Sequence, residues 1–156
     1  MFRFKHFTIH DESTAMKVGT DGVLLGAWAD VAGDGDILDV GTGSGIIAIM
    51  AAQRNAMARV QAIDIDADAV AQAQRNISAT VWRERICAEC KDVAEFESEH
   101  KFDHIISNPP YFVEHTLSPN HQRALARSAV SLPFGVLATM AVCPPGITPR
   151  LKPCPA

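Results

Sequence analysis

The chain has 156 residues, a net charge of −4 with histidines neutral, and a pI near 5.8. This length suits one domain that buries roughly 70% of its unfolded surface. No apolar run reaches the about 18 residues a membrane span needs, and the mild acidity weighs against a broad nucleic-acid footprint. The opening Met1-Phe2-Arg3-Phe4-Lys5-His6 lacks the long apolar stretch of a signal peptide, so a cytoplasmic protein is expected.

Phe2, Phe4 and Phe7 alternate with Arg3, Lys5 and His6. The pattern fits a small hairpin packed on the domain better than an arm that stacks on bases. Thr20 or Asp21 can cap a helix in which Val23, Leu24, Ala27 and Trp28 repeat at helical spacing. A turn over residues 33–36 leads into a short apolar strand containing Ile37, Leu38 and Val40.

Asp39-x-Gly41-x-Gly43-x-Gly45 follows, and Ile46, Ile47, Ile49 and Met50 open a helix at once. Such a turn leaves backbone N–H groups free at a helix N-terminus above the carboxyl end of a strand. A dinucleotide fingerprint needs glycine where Ile46 stands, and no Gly-Lys-Ser/Thr is present to cradle phosphate. Residues 59–66 read as a second strand carrying Asp64, an acid placed to accept from both hydroxyls of a ribose. Asp66 fits the N-cap of a helix over 67–76, with Ala69, Val70, Ala73 and Ile77 on its buried face.

Residues 85–90 are a third strand, ended by Lys91, Asp92 and Val93; Asp92 is placed to accept from an adenine amine. Cys87 and Cys90 fall inside it. Cys143 and Cys154 do not complete a zinc spacing, so no metal is expected and the cysteines read as buried small hydrophobes. Residues 102–107 are a fourth strand, followed by Asn108-Pro109-Pro110-Tyr111-Phe112. Two prolines remove two donors and hold Asn108 extended, which presents acceptors without competing N–H groups.

Taken together, the glycine motif, Asp64, Asp92 and Asn108-Pro109-Pro110-Tyr111 resemble a Rossmann-type amino methyltransferase. Phe2-x-Phe4-Lys5-x-Phe7 and the run from Ala15 through Lys17 and Thr20 to Ala29 resemble the bacterial tRNA1(Val) adenine-N6-methyltransferase family. The resemblance implies an α/β fold with a doubly wound, mostly parallel sheet, S-adenosylmethionine as cofactor and N6-methylation of an adenine beside the anticodon of a tRNA. It implies that Gly41, Gly43 and Gly45 underlie the methionine end of the cofactor, with Asp39 oriented toward its amino group. Asp64 would hold the ribose, Asp92 and Val93 the adenine, and residues 17–21, Lys17 and Thr20 among them, would close over the site. Asn108, Pro109, Pro110 and Tyr111 would form the reacting centre, with Asn108 also among the cofactor-binding residues.

The implied division is one domain over 1–156, with an arm at 1–19, a cofactor-binding core at 20–142 and an irregular tail at 143–156. The family sheet has seven strands, whereas four are read here, and Pro149, Pro153 and Pro155 exclude a central strand from the tail. A truncated or frame-altered product lacking strands five to seven is therefore expected, and a monomer with no membrane contact. The competing readings are methylation of a glutamine amide in a release factor and a non-catalytic cofactor-binding remnant.

Overall fold

Four parallel strands in the order β5-β4-β3-β6 form the scaffold: β3 (Ile37–Val40), β4 (Val60–Asp64), β5 (Ile86–Cys90) and β6 (His104–Ser107). The computed structural model describes residues 1–109 apart from Asp34, Glu97, Glu99 and His100. The end of the expected cofactor-binding core and the proline-rich tail lie outside the described residues. An antiparallel hairpin of β1 (Phe2–Arg3) and β2 (Thr8–Ile9) precedes the sheet. The helices are α1 (Thr20–Trp28), α2 (Ile46–Arg54) and α3 (Ala67–Ser78). Among the described residues no helix is long and apolar enough to cross a membrane.

β3 is central, and all four of its residues are buried. Its side chains alternate between two apolar layers, as a parallel strand covered on both faces requires. Ile37 joins Val60, Ala62, Ile86 and Ile106 under α2 and α3. Leu38 and Val40 join Ile63, Val93 and Phe96 on the other face. The register pairs Val40 with both Ile63 and Ser107, and Asp64 with Cys90. The chain therefore leaves β3, β4, β5 and β6 at one edge of the sheet, where the glycine loop, Asp64, Asp92 and Asn108 all lie.

At the opposite edge, long side chains tie down the helix C-termini. Arg85 donates to the carbonyls of Ala52, Asn55 and Ala58 at 2.6–2.8 Å, and Arg54 donates to those of Gly26 and Ala29. Asn55 donates to the carbonyls of Val31 and Gly33 and accepts from the amides of Met57 and Ala58.

The hairpin packs on the domain as expected. Ile9 is fully buried, Phe4 stacks on Phe7 with centroids 4.7 Å apart, and Phe7 meets the edge of Trp82. Asp66 caps α3 by accepting from the amides of Asp68 and Ala69.

Three expectations need correction. The N-cap of α1 is Gly19, with no side-chain cap, rather than Thr20 or Asp21. The buried stripe of α1 is Gly22 and Gly26, whereas Leu24 is 43% and Trp28 81% exposed. The cause is close approach of α1 to α2. A Cβ at Gly26 would lie 2.7 Å from Met50 Sδ and 3.2 Å from Met50 Cβ, so a larger residue there would have to displace the Met50 side chain. Cys87 and Cys90 are exposed rather than buried. β5 is an outer strand of the sheet among the described residues; its alternation sends Ile86 and Ala88 into the core and turns Cys87 the other way, while Cys90 sits at its open end.

Candidate functional site

A cleft opens along the carboxyl edge of the sheet. The floor is the glycine loop. Gly41, Gly43 and Gly45 have φ of 72°, 55° and 80°, the left-handed region that side chains rarely adopt. The amides of Gly41 and Thr42 donate to the Ile63 carbonyl at 2.9 and 3.0 Å, which stitches the loop to β4. Gly45 serves as the N-cap of α2, so the first turn of that helix starts under the cleft.

Two carboxylates organise this floor. Asp64 Oδ2 accepts from the Gly43 amide at 2.9 Å, and its Oδ1 accepts from the Asp66 amide at 3.0 Å. A carboxylate offers about four lone-pair sites, so each Asp64 oxygen keeps capacity for a second donor. Burial pushes Asp64 above its ordinary value; the Asp66 and Gly43 amides oppose that rise. Asp39 lies below the loop with no exposure. Its Oδ2 accepts from the Thr42 hydroxyl at 2.6 Å, and Oδ1 has no hydrogen-bond partner. Burial pushes the Asp39 carboxyl up to about 7, against the Thr42 hydroxyl and the Ala48 amide, and the Asp64 charge adds to the rise.

One wall is a strap over residues 11–19. Its centre is Asp11, 5% exposed, whose Oδ2 accepts from the Val18 amide and whose Oδ1 accepts from the Met1 ammonium, both at 3.1 Å. Burial works against the Asp11 charge, but those two donors outweigh it and hold the carboxyl below its ordinary value. Lys17 Nζ donates to the carbonyls of Asp11, Glu12 and Thr14 at 2.7, 3.1 and 3.2 Å. The Lys17 ammonium is thus held by its own loop.

The opposite rim carries Asp92 and Val93. Asp92 Oδ1 accepts from the Ala94 amide at 2.9 Å, which turns the chain after β5. Lys91 there pairs with Glu89 at 2.7 Å and lies over the Phe96 ring. Asn108 leaves β6 half-buried, and a Cβ on Gly22 would stand 3.5 Å from its Nδ2.

Of the residues singled out from the sequence, Lys17, Gly41, Gly43 and Asp64 line this cleft, as do Asp92, Val93, Asn108 and Pro109. Thr20, Asp39 and Gly45 are not on its lining: Thr20 is exposed on α1, Asp39 is under the floor, and Gly45 faces Ala73 of α3. Pro110 and Tyr111 lie outside the described residues. Sequence reasoning missed Thr14, Met16 and Gly22 in the lining. Gly22 had a signal, since it lies four residues before Gly26 on one helix face.

Residues 17–135 match the methyltransferase small domain family. The chain belongs to that family. Within it, the chain is 54% identical over 137 residues to the tRNA1(Val) (adenine(37)-N6)-methyltransferase of Phocaeicola vulgatus, covering 88% of this chain and 58% of that protein. The enzymes of the same name from Bacteroides thetaiotaomicron and Haemophilus influenzae are 48% and 47% identical, over 85% and 81% of this chain and 56% of each relative. The chain thus spans a little over half the length of these relatives. Among solved structures, a S-adenosylmethionine-dependent methyltransferase from Thiobacillus denitrificans in complex with S-adenosylhomocysteine superposes with a TM-score of 0.51 at 22% identity, covering 70% of this chain and 44% of that one. YjhP from Escherichia coli does so with a TM-score of 0.51 at 22% identity, covering 71% and 45%. These neighbours share the Rossmann-like α/β fold of class I methyltransferases.

Proposed function

We propose that this chain binds S-adenosylmethionine in the cleft and directs its methyl group to the exocyclic N6 of an adenine in a tRNA. The observation that carries the reading is the convergence of the glycine loop, Asp64, Asp92 and Asn108 on one cleft at the carboxyl edge of a parallel sheet. The tRNA specificity is taken from the relatives at 47–54% identity.

The cleft suits this cofactor. A Cβ at Gly43 would meet nothing within 4 Å, so the loop has room for a ligand to lie against its backbone. Asp64 and Asp92 complement a ligand that carries a sulfonium and an ammonium, while Lys17 and Lys91 are already partnered and do not oppose it. When bound, S-adenosylmethionine supplies an electrophilic methyl group. Asp64 accepts from the ribose hydroxyls, and Asp92 with the Val93 backbone reads the adenine edge. The Gly41 and Gly43 backbone supports the methionine end. Gly45 and Asp39 act from beneath, by shaping the loop.

Asn108 and Pro109 receive the target base. An adenine amine is a weak nucleophile because its lone pair is delocalised into the ring. The Asn108 side-chain oxygen and the Pro109 carbonyl accept its two N–H groups, favour a pyramidal nitrogen and aim the lone pair. No strong base is required, because attack precedes proton loss. Orientation and fixed dipoles supply most of the rate. Pro110 and Tyr111 complete the motif, with the tyrosine as a stacking surface for a splayed base. Such a substrate places the reaction in the cytoplasm.

The test uses labelled methyl donor with tRNA, with a release factor, or with neither. Label in tRNA alone is expected, and Asn108→Ala is expected to abolish it while donor affinity stays within about twofold, since the role assigned to its oxygen is to accept from the amine. Label in the release factor, or near-native turnover by Asn108→Ala, refutes the assignment.

A further inference from the structure

The cleft has two jaws that are far apart in sequence, the strap at 11–19 and the glycine loop at 41–45. A single buried side chain touches the backbone of both sides. Asn76, on α3, is 2% exposed. Its Nδ2 donates to the His10 carbonyl at 2.7 Å and to the Ser44 carbonyl at 2.8 Å, and its Oδ1 accepts from the His10 amide at 3.0 Å. Both amide protons are used. His10 leads directly into the strap, and Ser44 belongs to the loop and lines the cleft. Asn76 itself is not on the lining.

The rest of α3 agrees with this placement. A Cβ at Gly45 would lie 3.2 Å from Ala73 Cβ, so the helix is pressed against the loop. Beside Asn76 in sequence, Arg75 Nη2 donates to Gln72 Oε1 at 3.0 Å and reaches Ser13 Oγ of the strap at 3.4 Å.

We propose that Asn76 is a positioning residue for the cleft: its amide sets the gap between strap and glycine loop, so that a ligand held by the loop also orders the start of the strap. The proposal rests on the cofactor-binding reading above. Geometry favours asparagine at this point. One planar amide supplies two donors and one acceptor in fixed directions, whereas aspartate has no donor and would face two carbonyls with a buried charge.

The test measures S-adenosylhomocysteine affinity by calorimetry for the wild-type chain, Asn76→Ala and Asn55→Ala. Asn55 is the control. It bonds four backbone groups where Asn76 bonds three, but at the far edge of the sheet. Both variants are expected to melt lower than wild type. Only Asn76→Ala is expected to bind more weakly, by about five- to tenfold, the equivalent of about one lost hydrogen bond. Hydrogen exchange on the wild-type chain covers the case in which Asn76→Ala does not fold. Ligand is expected to slow exchange of the His10 amide, which contacts Asn76 and not the cleft. A folded Asn76→Ala with affinity within about twofold of wild type overturns the proposal, as does ligand binding that leaves His10 exchange unchanged in the wild-type chain. Absence of any binding by wild type removes the cofactor reading itself, and this inference with it.

Discussion

Replacing Gly45 with alanine separates two costs that the glycine loop keeps low. Gly45 has φ 80° and ψ 11°, and an L side chain in that conformation costs about 1–2 kcal/mol. Its added Cβ would also meet Ala73 Cβ at 3.2 Å and Ala73 Cα at 3.4 Å. Ala73 is fully buried on α3, so the helix must shift to make room, an overpacking cost of about 1–3 kcal/mol. Alanine also stiffens the unfolded chain, which offsets about 0.4–1 kcal/mol of these costs, so the net loss is about 1–4 kcal/mol. Gly43→Ala isolates the backbone cost: its φ is 55° and its Cβ would meet nothing within 4 Å. After the same unfolded-state offset, that variant is expected to lose only about 1 kcal/mol. Urea unfolding of the two variants beside wild type reads the difference directly. If Gly45→Ala proves as stable as Gly43→Ala, the contact between the loop and α3 is not what holds position 45 to glycine.

Two further outcomes follow from particular side chains. Burial lifts the Asp39 carboxyl from 3.8 to about 7, so the folded chain keeps a proton that the unfolded chain has released; stability from this group is present below the unfolded value and falls as pH rises toward 7. Asp39→Asn is expected to flatten that fall, and melts of both proteins at about pH 5 and pH 8 that shift in parallel would contradict it. Arg85→Ala removes three charge-assisted bonds to the end of α2 and the turn after it, and is expected to cost about 2–3 kcal/mol in urea unfolding. Arg85→Lys should recover only part of this, since an ammonium lacks the planar fork; full recovery would show that charge alone suffices.

The features legible in the sequence were those encoded locally. Ile37, Leu38 and Val40 announce a buried strand, and the glycines after them announce its turn. Asp66 was readable as a cap because the helical pattern starts one residue later. The corrected features depend on distant partners. Val23, Leu24, Ala27 and Trp28 suggested a buried stripe, but Met50 on another helix decided that Gly22 and Gly26 face inward. Cys87 was misread because periodicity does not tell an outer strand from a central one. Lys17 was expected as part of a closing segment, and only the structure shows its ammonium held by three carbonyls of the strap. Asn76 gave no signal at all, since its partners lie 66 and 32 positions away.

Arg54, Asn55 and Arg85 fasten the helix ends at one pole of the molecule, while at the other pole the chain crosses from strand to helix on glycines and short turns. Such an anchored base lets the recognition loops change in evolution without disturbing strand pairing beneath them. On the proposed function, a scaffold of this kind could exchange one acceptor for another while the cleft that takes the donor keeps its shape.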